Sequence, residues 1–303
     1  GKTGEKTEEK TAVIEIAKAA GLTLLSEEER NPLYTTTYGV GEVIKDAVRN
    51  GCRKFIVGIG GSATNDGGAG MLQALGFGLL KENGEQIPIG ARGLEELAEI
   101  TDDNVIPELA ECKFKIACDV TNVLCGETGA SAVYGPQKGA DEEMTERLDR
   151  LLFSYASLVK KKIPKADSMY PGTGAAGGLG FAFLTFMDAQ LESGIQIVIK
   201  ETGLEQEIAK ADLVITGEGR MDGQTAMGKA PIGIAKIAKK YGKPVIAFAG
   251  AAARDAGACN EQGIDAFFPI LREAVSLEAA MKRENAEANM EAAVEQAYRL
   301  WRL

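Results

Sequence analysis

The 303-residue sequence contains no histidine. That absence removes Ser-His-Asp and Cys-His catalysis, histidine-ligated metals and histidine proton shuttles together. Acid–base chemistry is left to carboxylates, lysine, tyrosine or cysteine, and any metal is expected to be a hard ion held by oxygen, such as magnesium. Cysteine is sparse. Cys52, Cys112, Cys118, Cys125 and Cys259 are odd in number and include no CxxC pair. This argues against a disulfide framework or a zinc knuckle and fits a reducing, cytoplasmic compartment. A basic excess is missing as well. The net charge of −10 argues against general binding to nucleic acid or a membrane surface. One nucleotide remains allowed, since a few local cations and backbone amides suffice for it. No apolar run is long enough to span a bilayer, and no signal-peptide pattern is present.

What is present is an ordinary globular composition, 45% hydrophobic and 26% charged, at a length that favours about two domains. Residues 1–10 are Lys, Glu, Thr and Gly and read as a solvated loop. Strands are expected over 11–16, 54–58 and 114–118, helices over 41–50 and 141–160, and a hairpin over 77–89, where Asn83-Gly84 is a favoured two-residue turn. After a short strand near 195–199 the pattern alternates: strand 212–216, helix 231–241, strand 244–249, strand 266–270 and terminal amphipathic helices from 276. Such βα alternation implies a parallel sheet. The expected architecture is α/β with two domains. Residues 1–205 form a mixed α/β domain carrying glycine-rich loops, and residues 206–303 form a Rossmann-like, three-layer parallel-sheet domain that is partial.

The most informative stretch is 217–229, Gly-Glu-Gly-Arg-Met-Asp-Gly-Gln-Thr-Ala-Met-Gly-Lys. It lies between an expected strand and an expected helix, where open α/β sheets bind ligands. Most such connections are about 2–6 residues long; this one is longer and carries two acids, an arginine, a glutamine, a threonine and a lysine. Residues 223–229 match the P-loop spacing GxxxxGK, but Ala230 stands where a Ser or Thr should hold magnesium. Helix amides and Lys229 beside an anion are a better physical reading than a true P-loop. A capping loop with solvated charges is the bland one.

Three more stretches carry candidate chemistry. Residues 58–70, Gly-Ile-Gly-Gly-Ser-Ala-Thr-Asn-Asp-Gly-Gly-Ala-Gly, follow a strand. Their first six residues fit the loose dinucleotide fingerprint, yet the acid-ended second parallel strand expected about 20 residues on is replaced by the Asn-Gly hairpin. The glycines, with Ser62, Thr64, Asn65 and Asp66, also suit an oxyanion cradle. Tight turning and close helix packing explain part of them equally well. Cys-Asp-Val-Thr-Asn at 118–122 puts Asp119 at a strand's carboxyl end, for metal or hydroxyl binding or simply as a cap. Gly-Thr-Gly-Ala-Ala-Gly-Gly-Leu-Gly at 172–180 opens an apolar helix, for close packing or for an anion.

Together with Asn-Pro-Leu-Tyr-Thr-Thr-Thr-Tyr-Gly at 31–39 and Tyr-Gly-Pro-Gln-Lys-Gly at 134–139, these stretches resemble the glycerate kinase family, in that family's order and across nearly the whole chain. The resemblance implies a two-domain α/β kinase with a cleft between the domains. It also implies D-glycerate and ATP as substrates, magnesium as cofactor and 2-phosphoglycerate as the favoured product. The family's opening Ser-Phe-Lys-Gly and Ala-Asp-Gly-Gly-Glu-Gly motifs have no counterpart here, so the Rossmann-like sheet is expected to lack its first strands. On this reading Asp222 accepts the hydroxyl proton, Arg220 holds the substrate carboxylate, and Glu218 or Asp119 carries magnesium. Gly60, Gly61 and Ser62 cradle an anionic group, Lys229 offsets phosphate charge, and Asn65, Asp66, Thr173, Gly174, Gln224 and Thr225 supply further substrate or phosphate contacts. Expected partners are glycerate and ATP, with no nucleic acid, no membrane and a homo-oligomer left open. The rival readings are a nicotinamide-dependent oxidoreductase using residues 58–63 and a non-catalytic carboxylate- or nucleotide-binding module.

Overall fold

The structure, a computed structural model, describes residues 10–303. The solvated loop expected over 1–10 lies, apart from Lys10, outside the described residues. The chain divides into two compact units, Gly1–Gly194 and Ile195–Leu303. Residues 195–205, assigned to the first domain on sequence, lie with the second unit.

The first unit is built on strands β1 (Thr11–Glu15), β2 (Lys54–Gly58), β5 (Lys113–Ala117) and β6 (Ala189–Glu192), all parallel and in the order β1-β2-β5-β6. A separate antiparallel pair joins β3 (Gly78–Leu80) to β4 (Glu99–Thr101). Alternate residues of a strand share a face, and here Phe55 and Val57 of β2 stand beside Phe114 and Ile116 of β5, all buried. The Phe55 and Phe114 rings stack with centroids 4.6 Å apart. Each such ring contributes about 1.5–3 kcal/mol on burial. Helices α1 (Ala17–Ala20), α2 (Tyr38–Arg49), α3 (Ala69–Leu75), α4 (Ala130–Tyr134), α5 (Glu142–Lys162) and α6 (Ala175–Phe186) complete the unit. Helix α5 starts on an Asp141 cap that accepts from Met144 N at 2.8 Å and ends with three lysines that complement its dipole.

Of the expected 77–89 hairpin only a reversal at Gly84 forms, and its loop spans three residues, 82–84, rather than the expected two. Gly84 takes φ +82° and Lys81 N donates to Glu85 O at 2.8 Å. The returning arm meets Leu80 through a single bridge at Gln86, and the strand partner of β3 is instead β4. The Asn-Gly turn is a local signal, whereas the pairing is won by Ile100, buried opposite Leu79.

The second unit runs α7 (Gly194–Thr202), α8 (Leu204–Lys210), β7 (Val214–Met221), α9 (Gly223–Ala226), α10 (Ala230–Lys240), β8 (Val245–Ala252), α11 (Ala258–Glu261), β9 (Ala266–Pro269), α12 (Leu277–Met281) and α13 (Arg283–Trp301). Its sheet is parallel, in the order β7-β8-β9. Val245, Ala247 and Ala249 of β8 enter one core with Ile232, Ala235 and Ala238 of α10, whereas Phe248 packs with Ile270 and with Ala297 of α13 in another. The alternation along β8 thus covers the sheet on both faces, giving the three layers expected of this unit. Helix α10 has Pro231 in its first turn, and Gly242 just past its end takes φ +65°.

Two local expectations differ from the structure. Residues 195–199 are helical, part of α7, rather than a strand. The alternating isoleucines suggest a strand, but Ile195 packs on Gly233 of α10, and periodicity over so short an apolar run does not separate the two states. The first five residues of the 217–229 stretch are not loop; they continue β7, with Glu218 opposite Ala249 and Arg220 opposite Ala251. Gly217 marks a close approach, since a Cβ there would stand 2.3 Å from Phe248 O.

In the first unit the two glycine-rich stretches pack backbone against backbone. Gly67 N donates to Gly177 O at 2.9 Å, and Ala176, Gly177 and Gly178 are all left-handed. A Cβ on Gly177 would lie 2.0 Å from Thr64 O, at φ +67°. Gly177→Ala is therefore expected to lower unfolding stability by at least about 2 kcal/mol, read from urea denaturation. A change within experimental error would mean that this contact relaxes freely.

Candidate active site

At the carboxyl ends of β2 and β5 the first unit carries an open pocket of about 340 Å³. Gly60, Gly61 and Ser62 form one side, Asp119 and Val120 another, and Tyr134, Gln137, Lys138, Ala175 and Ala176 much of the rest. Among the described residues the amides of Gly60, Gly61 and Ser62 have no protein acceptor, so they are open to an oxyanion. Ala176 holds φ +53°, a left-handed conformation rare outside glycine. Asp119 is exposed, and its Oδ1 accepts from Gly194 N at 3.0 Å.

Sequence reasoning left Lys138 out of the site, and it is the only fully buried lysine among the described residues. Its Nζ donates to Ser62 Oγ at 3.0 Å and to Thr64 O at 2.6 Å. Burial pushes its pKa down to about 7, against a smaller upward pull from Asp66. The sequence shows that Lys138 stands in a tight turn, because Pro136 opens it and Gly139 closes it at φ +94°. The burial of that turn against residues 62–64 is a long-range fact with no local signal.

Other expected contacts lie deeper. Asp66 is fully buried, and its carboxylate accepts from Thr37 N at 2.8 Å, Thr37 Oγ1 at 3.0 Å, Gly68 N at 3.1 Å and Gly70 N at 3.3 Å. Burial raises its pKa while these donors pull it down. Its oxygens are thus committed to the protein. Asn65 is buried too and donates through Nδ2 to Ser131 Oγ at 2.9 Å. Thr173 turns inward, its hydroxyl against the carbonyls of Ser168 and Tyr170, and Gly174 N donates to Asn122 O at 2.9 Å. The structure therefore gathers Gly60, Gly61, Ser62 and Asp119 at the cavity and places Asn65, Asp66, Thr173 and Gly174 behind its wall.

In the second unit, Asp222 caps the one-turn helix α9. Its Oδ1 accepts from Gln224 N at 3.0 Å and from Thr225 N at 3.1 Å. The hydroxyl of Thr225, which is buried, closes the box by accepting from Asp222 N at 3.1 Å and donating to the Glu218 carboxylate. The Thr225 amide holds the Asp222 carboxyl below its ordinary range, with Lys229 adding to the effect. The P-loop spacing at 223–229 is thus filled by a capped helical turn rather than an open phosphate wrap. Arg220, Gln224 and Lys229 are exposed, and Lys229 stands at the start of α10.

The dinucleotide reading of residues 58–63 fails on topology. The strand that follows, β3, pairs antiparallel and belongs to a different sheet from β2, so the acid-ended parallel strand expected about 20 residues after the glycines is not there. No described helix is long and apolar enough to cross a membrane.

The family model "Glycerate kinase family" matches residues 2–302. The chain is 49% identical over 280 residues to a glycerate kinase of Halalkalibacterium halodurans, covering 92% of this chain and 74% of that protein. It is 49% identical over 273 residues to a glycerate 2-kinase of Escherichia coli K12, covering 90% and 72%. The crystal structure of a protein described as glycerate kinase 2 from Salmonella typhimurium LT2 superposes with a TM-score of 0.83 at 48% identity, covering 95% of this chain and 75% of that one.

The position of Lys138 has a measurable cost. With a folded pKa near 7, it binds fewer protons in the folded than in the unfolded chain between that value and the ordinary lysine range. Its contribution to stability therefore rises with pH across this window, by at most about 1.4 kcal/mol per pH unit. In urea titrations from pH 7 to 9, wild type should gain stability relative to Lys138→Met. A difference independent of pH would show that the lysine titrates at its usual value.

Proposed function

The chain belongs to the glycerate kinase family, and on that premise we propose that it transfers the terminal phosphoryl group of ATP to a hydroxyl of D-glycerate, releasing ADP and phosphoglycerate. The observation that carries this reading is the match to curated glycerate kinases at 49% identity over about nine-tenths of the chain. The second hydroxyl is the favoured acceptor, because the Escherichia coli relative is a glycerate 2-kinase.

Phosphoryl transfer demands mainly positioning and neutralisation of phosphate charge. The first unit offers the open amides of Gly60 and Gly61 and the Ser62 segment as an oxyanion cradle. The second offers Arg220, whose planar fork suits a carboxylate or phosphate, with Gln224 and Lys229 as further exposed donors. Asp222 is the proposed acceptor of the substrate hydroxyl proton. Its capping bonds to Gln224 and Thr225 fix the carboxylate in place and keep it ionised.

Among the described residues no three His, Cys, Asp or Glu side chains gather into a metal cage. That suits magnesium, which keeps several waters and takes one or two carboxylates together with substrate phosphates. Glu218 or Asp119 is the proposed carboxylate. The ion would supply neutralisation of phosphate charge.

ADP release measured by a coupled assay should require D-glycerate and should be weaker with other hydroxy acids; release indifferent to the acceptor would overturn the reading. Asp222→Asn should lower kcat at least about 100-fold, the usual scale for a positioned proton acceptor. Near-normal turnover would take Asp222 out of that role.

A further inference from the structure

Lys138 is 2% exposed and forms no ion pair with any described residue. Buried lysines ordinarily have an acidic partner. Here both acceptors of Nζ, Ser62 Oγ and Thr64 O, are neutral. An ammonium has three donors, so one is left unspent at the wall of the 340 Å³ cavity. The same cavity presents the open amides of Gly60, Gly61 and Ser62. The arrangement is an anion receptor with one buried positive charge.

We propose that Lys138 is the counter-charge for the carboxylate of a small hydroxy acid bound in this cavity, and that it selects such acids over uncharged polyols. The inference rests on the glycerate kinase reading and names the group that recognises the acid. A triphosphate is the less suitable anion. One lysine does not balance its charge. The carboxylate role suggested for Arg220 passes to Lys138, and Arg220 remains as a donor to phosphate oxygens.

Calorimetric titration of the full chain with D-glycerate, without nucleotide, tests this directly. Lys138→Met should weaken glycerate binding by about 10–100-fold, the scale of one charge-assisted hydrogen bond, and leave ATP affinity unchanged, and the wild-type preference for glycerate over glycerol should shrink by the same factor. Unaltered glycerate affinity in a folded variant, or loss of ATP affinity in place of glycerate affinity, would overturn the proposal.

The wild-type pH profile is a second readout that needs no variant. The ammonium is present below its pKa of about 7. Glycerate affinity should therefore hold below that pH and fall above it, by up to about tenfold per unit. The other titratable groups nearby are Asp119, Cys118, Tyr134 and Asp66. Burial raises Cys118 and Tyr134 away from this window. Ionisation of Asp66 would support the lysine charge as pH rises, which is the opposite sign. A flat profile from pH 6 to 9 would overturn the proposal even if Lys138→Met failed to fold. If wild type binds glycerate through Lys138 yet releases no ADP, the kinase reading falls and this one stands. If ADP forms and Lys138→Met binds glycerate normally, the reverse holds.

Discussion

The Asp66 carboxylate organises the ligand-facing wall of the first unit. It draws in Thr37 through both amide and hydroxyl, and it takes the amides of Gly68 and Gly70 at the entry to α3. The Thr37 hydroxyl, having donated to Asp66, accepts from Met71 N at 2.9 Å. The threonine run before α2 and the glycine stretch before α3 are therefore fastened to one buried acid. A buried carboxylate with several donors is costly to disturb, because losing a donor leaves part of its charge unsolvated. With residues 66–71 so fixed, the preceding segment from Gly60 to Thr64 has a defined course, and on it depend the two acceptors of Lys138.

The second unit shows a different constraint. Val214 and Met221 of β7 are an odd number of residues apart, yet both enter the same core. Strict strand alternation forbids that. The change of face falls where Gly219 and Gly250 stand side by side and the regular register is interrupted. Two neighbouring glycines let the strands rotate there without side-chain collision. This turns Met221 into the core just before Asp222 leaves the sheet to cap α9.

Much of this was legible in the sequence, for identifiable reasons. Strand β2 has the apolar run Phe55-Ile56-Val57 between Lys54 and Gly58, and α10 has proline at one end and glycine just past the other; both signals are local. The extension of β7 was hidden because Gly217 and Gly219 look like loop residues until β8 is placed beside them. Asp66 and Lys138 were hardest to assign. Their types and neighbours are plain in the sequence, but their burial depends on chain segments 29 and 76 residues away. In the sequence Asp66 reads as a ligand contact; only the folded chain shows its oxygens already accepting from the protein. The solvent-open amides of Gly60 and Gly61, by contrast, follow from glycine content after a strand and were expected.

The seam between the two glycine stretches also has a mechanical meaning. Gly67 and Gly178 approach so closely that a Cβ on Gly178 would sit 2.7 Å from the Gly67 Cα, and Gly177 rests on Thr64 in the same way. No side chain lies between them to act as a bearing. Residues 172–180 cannot slide independently of residues 58–70; a displacement of one is handed to the other undamped, and through Thr64 to the lysine it holds. The cavity wall is in that sense a single stiff plate made from two distant pieces of chain.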